Sequence, residues 1–115
     1  MKATAAHHER IAQLTLASVY PHYVQKIAKK GRTEEELLRT IEWLTGHDAR
    51  AVEQAIADRL TFQAFFQSAK LNPKAHEIKG LICGYRIEEI DVELTRHVRY
   101  LDKLVDDLAK GKVRY

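Results

Sequence analysis

At 115 residues, with 45% hydrophobic and 30% charged side chains, the chain has the length and composition of one globular domain, which argues against a disordered segment or two independent domains. Its apolar runs fall far short of the roughly 20 residues a membrane-spanning helix needs. Its single cysteine, Cys83, excludes an intrachain disulfide and a zinc site made of thiolates alone.

Residues 1–10 are weakly specified and either fray or open a short helix; His7-His8-Glu9-Arg10 is polar throughout. Met1-Lys2-Ala3-Thr4 carries no apolar secretory region, so the expected compartment is the cytoplasm. Ile11, Leu14 and Ala17 have brief helical spacing. Proline suits a first helical turn, where its missing N–H is not needed. A helix is therefore expected to begin at Tyr20-Pro21, to present Tyr20, Tyr23/Val24 and Ile27 at helical spacing, and to stop at Gly31. Thr33-Glu34-Glu35-Glu36 is a capping box, in which hydroxyl and carboxylate satisfy each other's backbone N–H. The helix it opens buries Leu37, Leu38, Ile41 and Leu44 and ends at Gly46. Trp43 lies off that stripe, either partly exposed or turned to a second contact. Asp48 is the next N-cap, before Val52, Ala55, Ile56 and Leu60. Thr61 caps a short helix that places Phe62, Phe65 and Phe66 in the core. Leu71-Asn72-Pro73 ends it, because the residue before proline avoids the α region.

Residues 78–88 fit two patterns. Ile78, Leu81, Ile82 and Tyr85 suit a helix; Leu81, Cys83, Tyr85 and Ile87 suit a strand. A strand has no obvious partner elsewhere in the chain, so helix is the expectation. The last helix is the plainest element. Ile87, Ile90, Leu94, His97, Leu101, Leu104 and Leu108 recur at three and four residues, Val98 and Val105 widen the stripe, Asp91 is the expected N-cap and Gly111 closes it. The fold class is therefore all-α: one domain, a single compact bundle of five or six helices with a long C-terminal helix, in which residues 78–88 are open to a short strand.

Several segments carry a resemblance when taken in order. They are Ala17-Ser18-Val19-Tyr20-Pro21-His22-Tyr23-Val24, Lys30-Gly31-Arg32-Thr33, Trp43-Leu44-Thr45-Gly46, Asn72-Pro73, Ile82-Cys83-Gly84-Tyr85-Arg86-Ile87-Glu88-Glu89-Ile90 and Arg99-Tyr100-Leu101-Asp102-Lys103-Leu104. Over roughly residues 10–112 the chain resembles a small bacterial family, domain of unknown function 2200. The resemblance implies a bacterial cytosolic domain and brings no activity, cofactor or catalytic residue with it. His47 stands where the family pattern has tyrosine, and Val92 near where it has proline.

The chemistry-bearing residues form no strong motif. Six histidines include no His-x3-His pair. Glu89, Glu93 and His97 share a helical face at i, i+4 and i+8, a spacing that suits a divalent metal. The ferritin-like Glu-x2-His pattern is missing, however, and His97 reads better as a polar residue in a packed seam. Neither a metal nor a cofactor is expected. Cys83, next to Arg86, is a candidate nucleophile, but a cysteine in an apolar run is usually a small buried hydrophobe. Phosphate loops and a serine elbow are missing. Lys26, Lys29, Lys30 and Arg32 form the densest basic stretch and suit a helix end better than a phosphate patch. Residues 33–57 superficially suggest a helix-turn-helix, yet Glu53 and Asp58 on its outer face would repel phosphate.

Tyrosines beside Arg and Lys have the composition of binding hot spots. The candidate binding residues are therefore Tyr20, Tyr23, Trp43, Tyr85, Arg86, His97, Arg99 and Tyr100. The leading expectation is a non-catalytic protein-interaction domain, a homo-oligomer or a domain with a protein partner, with no membrane role. The alternative is a small-molecule-binding protein or enzyme with a cleft near Cys83, Tyr85, Arg86 and His97. Weak nucleic-acid binding through Lys26 to Arg32 comes third.

Overall fold

A computed structural model describes residues 4–115, so residues 1–3 of the weakly specified N-terminus lie outside it. Six α-helices follow one another: α1 (Ala5–Gln13), α2 (Leu16–Ala28), α3 (Glu34–Thr45), α4 (Ala49–Ala57), α5 (Phe62–Gln67) and α6 (Glu93–Ala109). Between α5 and α6 lie a 3₁₀ turn at Ala75–Glu77, two short strands, β1 (Leu81–Ile82) and β2 (Tyr85–Arg86), and a second 3₁₀ turn at Ile87–Glu89. The all-α expectation and the long C-terminal helix are both found.

Hydroxyl or carboxylate N-caps start the first five helices. Thr4, Thr15, Thr33, Asp48 and Thr61 each accept a backbone N–H three residues on, and Thr33 with Glu36 completes the capping box. Two of these caps also tie the bundle together. An N-cap residue is extended, so Thr15 and Thr61 can pair as an antiparallel bridge. Leu16 N–H donates to Leu60 C=O at 3.0 Å, and Phe62 N–H donates to Leu14 C=O at 2.7 Å. The end of α3 is closed differently. Gly46 takes φ 76°, and a Cβ there would sit 3.4 Å from both Cβ and the carbonyl oxygen of Lys70. That close approach lets Lys70 N–H reach Thr45 C=O at 2.8 Å and Asn72 N–H reach Leu44 C=O at 2.9 Å.

The core is built on α6. Its Val98, Leu101, Leu104, Val105 and Leu108 are buried against Leu16, Tyr23 and Ile27 of α2, Leu37, Ile41 and Leu44 of α3, and the phenylalanines of α5. Phe62, Phe65 and Phe66 are all buried, as a core wedge should be. Trp43 is half-buried and packs against the core edge, with the Arg114 guanidinium 5.8 Å from its ring centroid.

Three expectations are corrected. First, α2 begins at Leu16 under the Thr15 cap, so Pro21 stands in its second turn. Pro21 is exposed there, where water can serve the Ala17 carbonyl that loses its partner. Second, Val92 is the N-cap position of α6 and makes no side-chain cap, whereas Asp91 stays outside the helix. Glu89 and Ile90 precede that start, so neither belongs to the helical face assigned from spacing. Third, residues 78–88 are a hairpin framed by 3₁₀ turns rather than a helix. The partner of β1 is β2, just across a tight turn, with Ile82 opposite Tyr85 and Leu81 opposite Arg86.

The two-residue hairpin loop, Cys83-Gly84, has positive φ at both positions, 52° and 82°. That is the type I′ geometry, whose twist matches the strands and whose usual sequence is Asn-Gly. Cys83 is accordingly exposed at the tip and is no buried hydrophobe. A side chain other than Gly, Asn or Asp is strained in this left-handed conformation. Cys83→Asn should therefore stabilise the fold by about 1 kcal/mol. Urea unfolding would check it, and an unchanged or lower midpoint would contradict the turn assignment.

Candidate functional site

One concavity of about 420 Å³ opens between the first turns of α1, the hairpin and the N-terminal half of α6. The elements that form it explain its position. Thr4 caps α1 and aims its first turn, with His7 and His8, at α6. The type I′ turn folds Tyr85 and Arg86 back to the same place, and the helical repeat of α6 puts Thr95 and Arg99 on one side of the helix, four residues apart. Leu81, Ile90 and Val92 line the cleft as well.

The interior is polar and connected. His8 Nδ1 and Thr95 Oγ1 lie 2.6 Å apart, across 87 residues of chain. The Arg99 guanidinium stands 5.3 Å from the centroid of the Tyr85 ring, a cation–π arrangement. The His7 ring packs on the same tyrosine at 5.4 Å between centroids. Arg99 Nη2 is 3.4 Å from His7 Nε2. A guanidinium only donates, so that imidazole nitrogen is the acceptor and His7 is neutral. Burial first, and then the positive charge of Arg99, hold the His7 pKa below its ordinary value.

Arg99 is anchored from below. Its Nη1 donates to Asp102 Oδ2 at 3.0 Å, and Tyr23 O–H donates to Asp102 Oδ1 at 2.6 Å. Burial, followed by the Asp102 carboxylate, pushes the Tyr23 hydroxyl well above its ordinary pKa, so it remains a donor. The chain Tyr23–Asp102–Arg99–Tyr85 thus runs from the core of α2 through α6 to the cleft wall.

Of the residues singled out from the sequence, Tyr85, Arg86 and Arg99 line this cleft, and Tyr23 supports it from beneath. The others stand elsewhere. Tyr20 donates to Glu34 at 2.7 Å across the start of α3. Trp43 faces Arg114. His97 lies between Phe66 and Tyr100, with ring centroids 5.8 and 5.9 Å away, and the buried Tyr100 stacks on it. The expected cleft joining Cys83 and His97 to Tyr85 and Arg86 is therefore corrected: Cys83 is at the outer tip of the turn, and His97 points to another side of α6. His7, His8, Thr95 and Asp102 were not singled out. The adjacent His7-His8 pair beside helical spacing was the available signal.

Among the described residues no group of three His, Cys, Asp or Glu could hold a metal ion. Glu93 and His97 come no closer than 3.9 Å. Ser68 Oγ is 3.4 Å from His47 Nε2, but that nitrogen is also 3.1 Å from the Phe65 carbonyl. Bonding to a carbonyl requires Nε2 to carry the proton, which leaves it unable to take one from the serine. In the basic stretch, Lys26 pairs with Asp106 at 3.1 Å and Arg32 with Glu36 at 2.6 Å, so half of that charge serves the fold. No helix among the described residues is long and apolar enough to cross a membrane.

Residues 10–114 match a family described as an uncharacterized protein conserved in bacteria, DUF2200. The chain belongs to the DUF2200 family. The family description names no activity, and no curated protein matches the chain. A solved structure titled crystal structure of uncharacterized protein SP1917 is 37% identical and superposes with a TM-score of 0.85, over 97% of this chain and 90% of that one. Tyr85, Arg86, Thr95 and Arg99 fall inside the family match, whereas His7 and His8 precede it.

Two measurements test this arrangement. Tyr23→Phe removes one partner from a part-buried carboxylate and should cost about 1–2 kcal/mol; urea unfolding that leaves the midpoint unmoved would show that Tyr23 does not hold Asp102. His97 is half-buried, and desolvation outweighs the attraction of Glu93 to hold its pKa below the ordinary 6.5. The unfolded chain therefore takes up a proton first as pH falls through 6.5. That part of the stability is fully present above 6.5 and is lost as pH drops toward the lower folded value. Melting temperatures measured across this range should fall less steeply in His97→Gln; equal slopes would contradict the assignment.

Proposed function

We propose that this protein is a non-catalytic binding domain of the bacterial cytoplasm that holds a small molecule in the cleft between α1, the hairpin and α6. The observation that carries the reading is Tyr85, flanked by the His7 ring and the Arg99 guanidinium within one concavity. A volume of about 420 Å³ suits a small ligand. Apolar side chains with a few convergent polar groups are the usual lining of such a site, and Leu81, Ile90 and Val92 beside Thr95 and Arg99 fit that description. The anchoring of Arg99 by Asp102 supports a preorganised wall, which lowers the cost of binding. Cys83 does not line the cleft and His47 cannot act as a base for Ser68, which supports binding without catalysis.

A second reading is self-association or a protein partner on the same face. Leu81 is 60% exposed, Val92 40% and Leu14 43%. The first two border the cleft, and Leu14 lines an adjoining hollow that shares His7 and Arg99 with it. A second copy of the chain would cover these apolar side chains.

Native mass spectrometry of untagged, full-length protein separates the two. The small-molecule reading expects an added mass that survives gentle ionisation and disappears in Val92→Trp, which fills the cleft mouth. A bare dimer that Leu81→Asp converts to monomer would favour the second reading. A bare monomer at every concentration, together with no thermal shift from a metabolite library, would overturn both.

A further inference from the structure

The guanidinium of Arg99 is held on one side only. Nη1 donates to Asp102 at 3.0 Å, and the Tyr85 ring lies against the guanidinium at 5.3 Å from Cζ. The opposite edge carries Nε–H and Nη2–H side by side. Nε is buried and has no hydrogen-bond partner, and Nη2 has only the long 3.4 Å contact to His7. A buried charged donor without an acceptor is costly and calls for an explanation. The Nε–Nη2 edge is also a fork that matches two oxygens of a carboxylate or phosphate.

The formal charges lining the cleft balance, Arg86 and Arg99 against the exposed Glu89 and Asp91, with His7 neutral, so the attraction for an anion is local to the Arg99 fork. Arg86 Nε is 3.8 Å from the Glu89 carboxylate, so these two largely offset each other. Asp102 is taken up by Nη1 and by Tyr23 and lies on the far side of the guanidinium from the free edge.

We propose that the cleft binds a small molecule through a carboxylate or phosphate group seated on the Nε–Nη2 edge of Arg99. The proposal rests on the small-molecule reading above and adds the chemical class of the ligand. Because Nε itself exposes less than 1 Å², the His7 imidazole must swing away from Nη2 for the oxyanion to reach this edge, where it supplies the acceptor that Nε lacks. Asp102 and Tyr85 hold the plane of the fork while it does so. Leu81, Ile90 and Val92 receive the apolar remainder of the ligand.

The test follows the Arg99 Nε–H resonance of nitrogen-labelled protein, assigned by its loss in Arg99→Lys. The probes are inorganic phosphate, benzoate and the neutral isostere benzamide, each at matched sodium chloride to remove bulk screening. The proposal expects a saturable shift of that resonance with phosphate or benzoate; whichever arm is tighter identifies the headgroup. Benzoate should bind at least about ten-fold more tightly than benzamide. Arg99→Lys, followed through the Tyr85 and Thr95 backbone amide resonances because it has no Nε–H signal, keeps the charge and loses the fork, and should weaken binding by about ten-fold. Val92→Trp leaves Arg99 and Asp102 intact and should abolish the shift, which keeps the proposal testable if Arg99→Lys fails to fold. Shifts no larger than those from sodium chloride alone, or full affinity in Arg99→Lys, would overturn it. Equal affinity for benzamide and benzoate, with shifts at Tyr85 and Thr95, would also overturn it while leaving the small-molecule reading in place. Failure of that reading shows separately, as no bound mass in the native spectrum.

Discussion

The apolar stripe of α6 cannot remain in water, and most of this structure follows from covering it. Val98, Leu101, Leu104, Val105 and Leu108 are all buried. At about 25 cal/mol per Å² of apolar surface, burying these side chains contributes a large share of the stability of a domain this small. No single neighbour is wide enough to do it. The helices α1, α2, α3 and α5 all pack on α6, and the short connections between them, stapled at Thr15–Thr61 and at Gly46–Lys70, hold them in place.

The same constraint builds the cleft. A helix that buries Val98, Leu101 and Val105 carries Thr95, Arg99 and Asp102 along the border of its buried face, where Thr95 is buried and Arg99 and Asp102 are half-buried. Asp102 meets the hydroxyl of Tyr23 on α2 and fixes Arg99 in turn. Because the carboxylate lies between two donors, the guanidinium is directed by the core packing of α2 and α6, and the site inherits the rigidity of the bundle. The hairpin adds the aromatic wall, since a type I′ turn returns Tyr85 toward the helix that β1 packs against.

Much of the fold was legible because its signals are local. The capping box at Thr33, the caps at Asp48 and Thr61, the glycine stop at Gly46 and the heptad-like spacing of α6 each depend on residues within one or two turns of each other. The misread regions are those where a local signal had a local competitor. Pro21 matches a helix start, yet Thr15 offers a side-chain cap earlier in the chain and Pro21 tolerates the second turn on an exposed face. Asp91 has the right side chain for a cap, but the backbone turns helical only after Val92. In Cys83-Gly84 the residue type hid the turn: an Asn in place of Cys83 would have announced the hairpin and supplied the missing partner strand.

The site was less legible than the fold, for a reason of distance. The sequence by itself determined most of the helices, their buried faces and the supply of aromatic and arginine side chains, because these follow from composition and from the helical repeat of about 3.6 residues. It could not determine which of Tyr20, Tyr23, Trp43, Tyr85, Arg86, His97, Arg99 and Tyr100 would share a surface. Only the tertiary structure put His8 against Thr95, His7 and Arg99 on either side of Tyr85, and Tyr23 under Asp102. Partners in this cluster stand as many as 92 residues apart in the chain. Their meeting depends on how α1, the hairpin and α2 pack on α6, a matter of shape complementarity in three dimensions that no local pattern encodes.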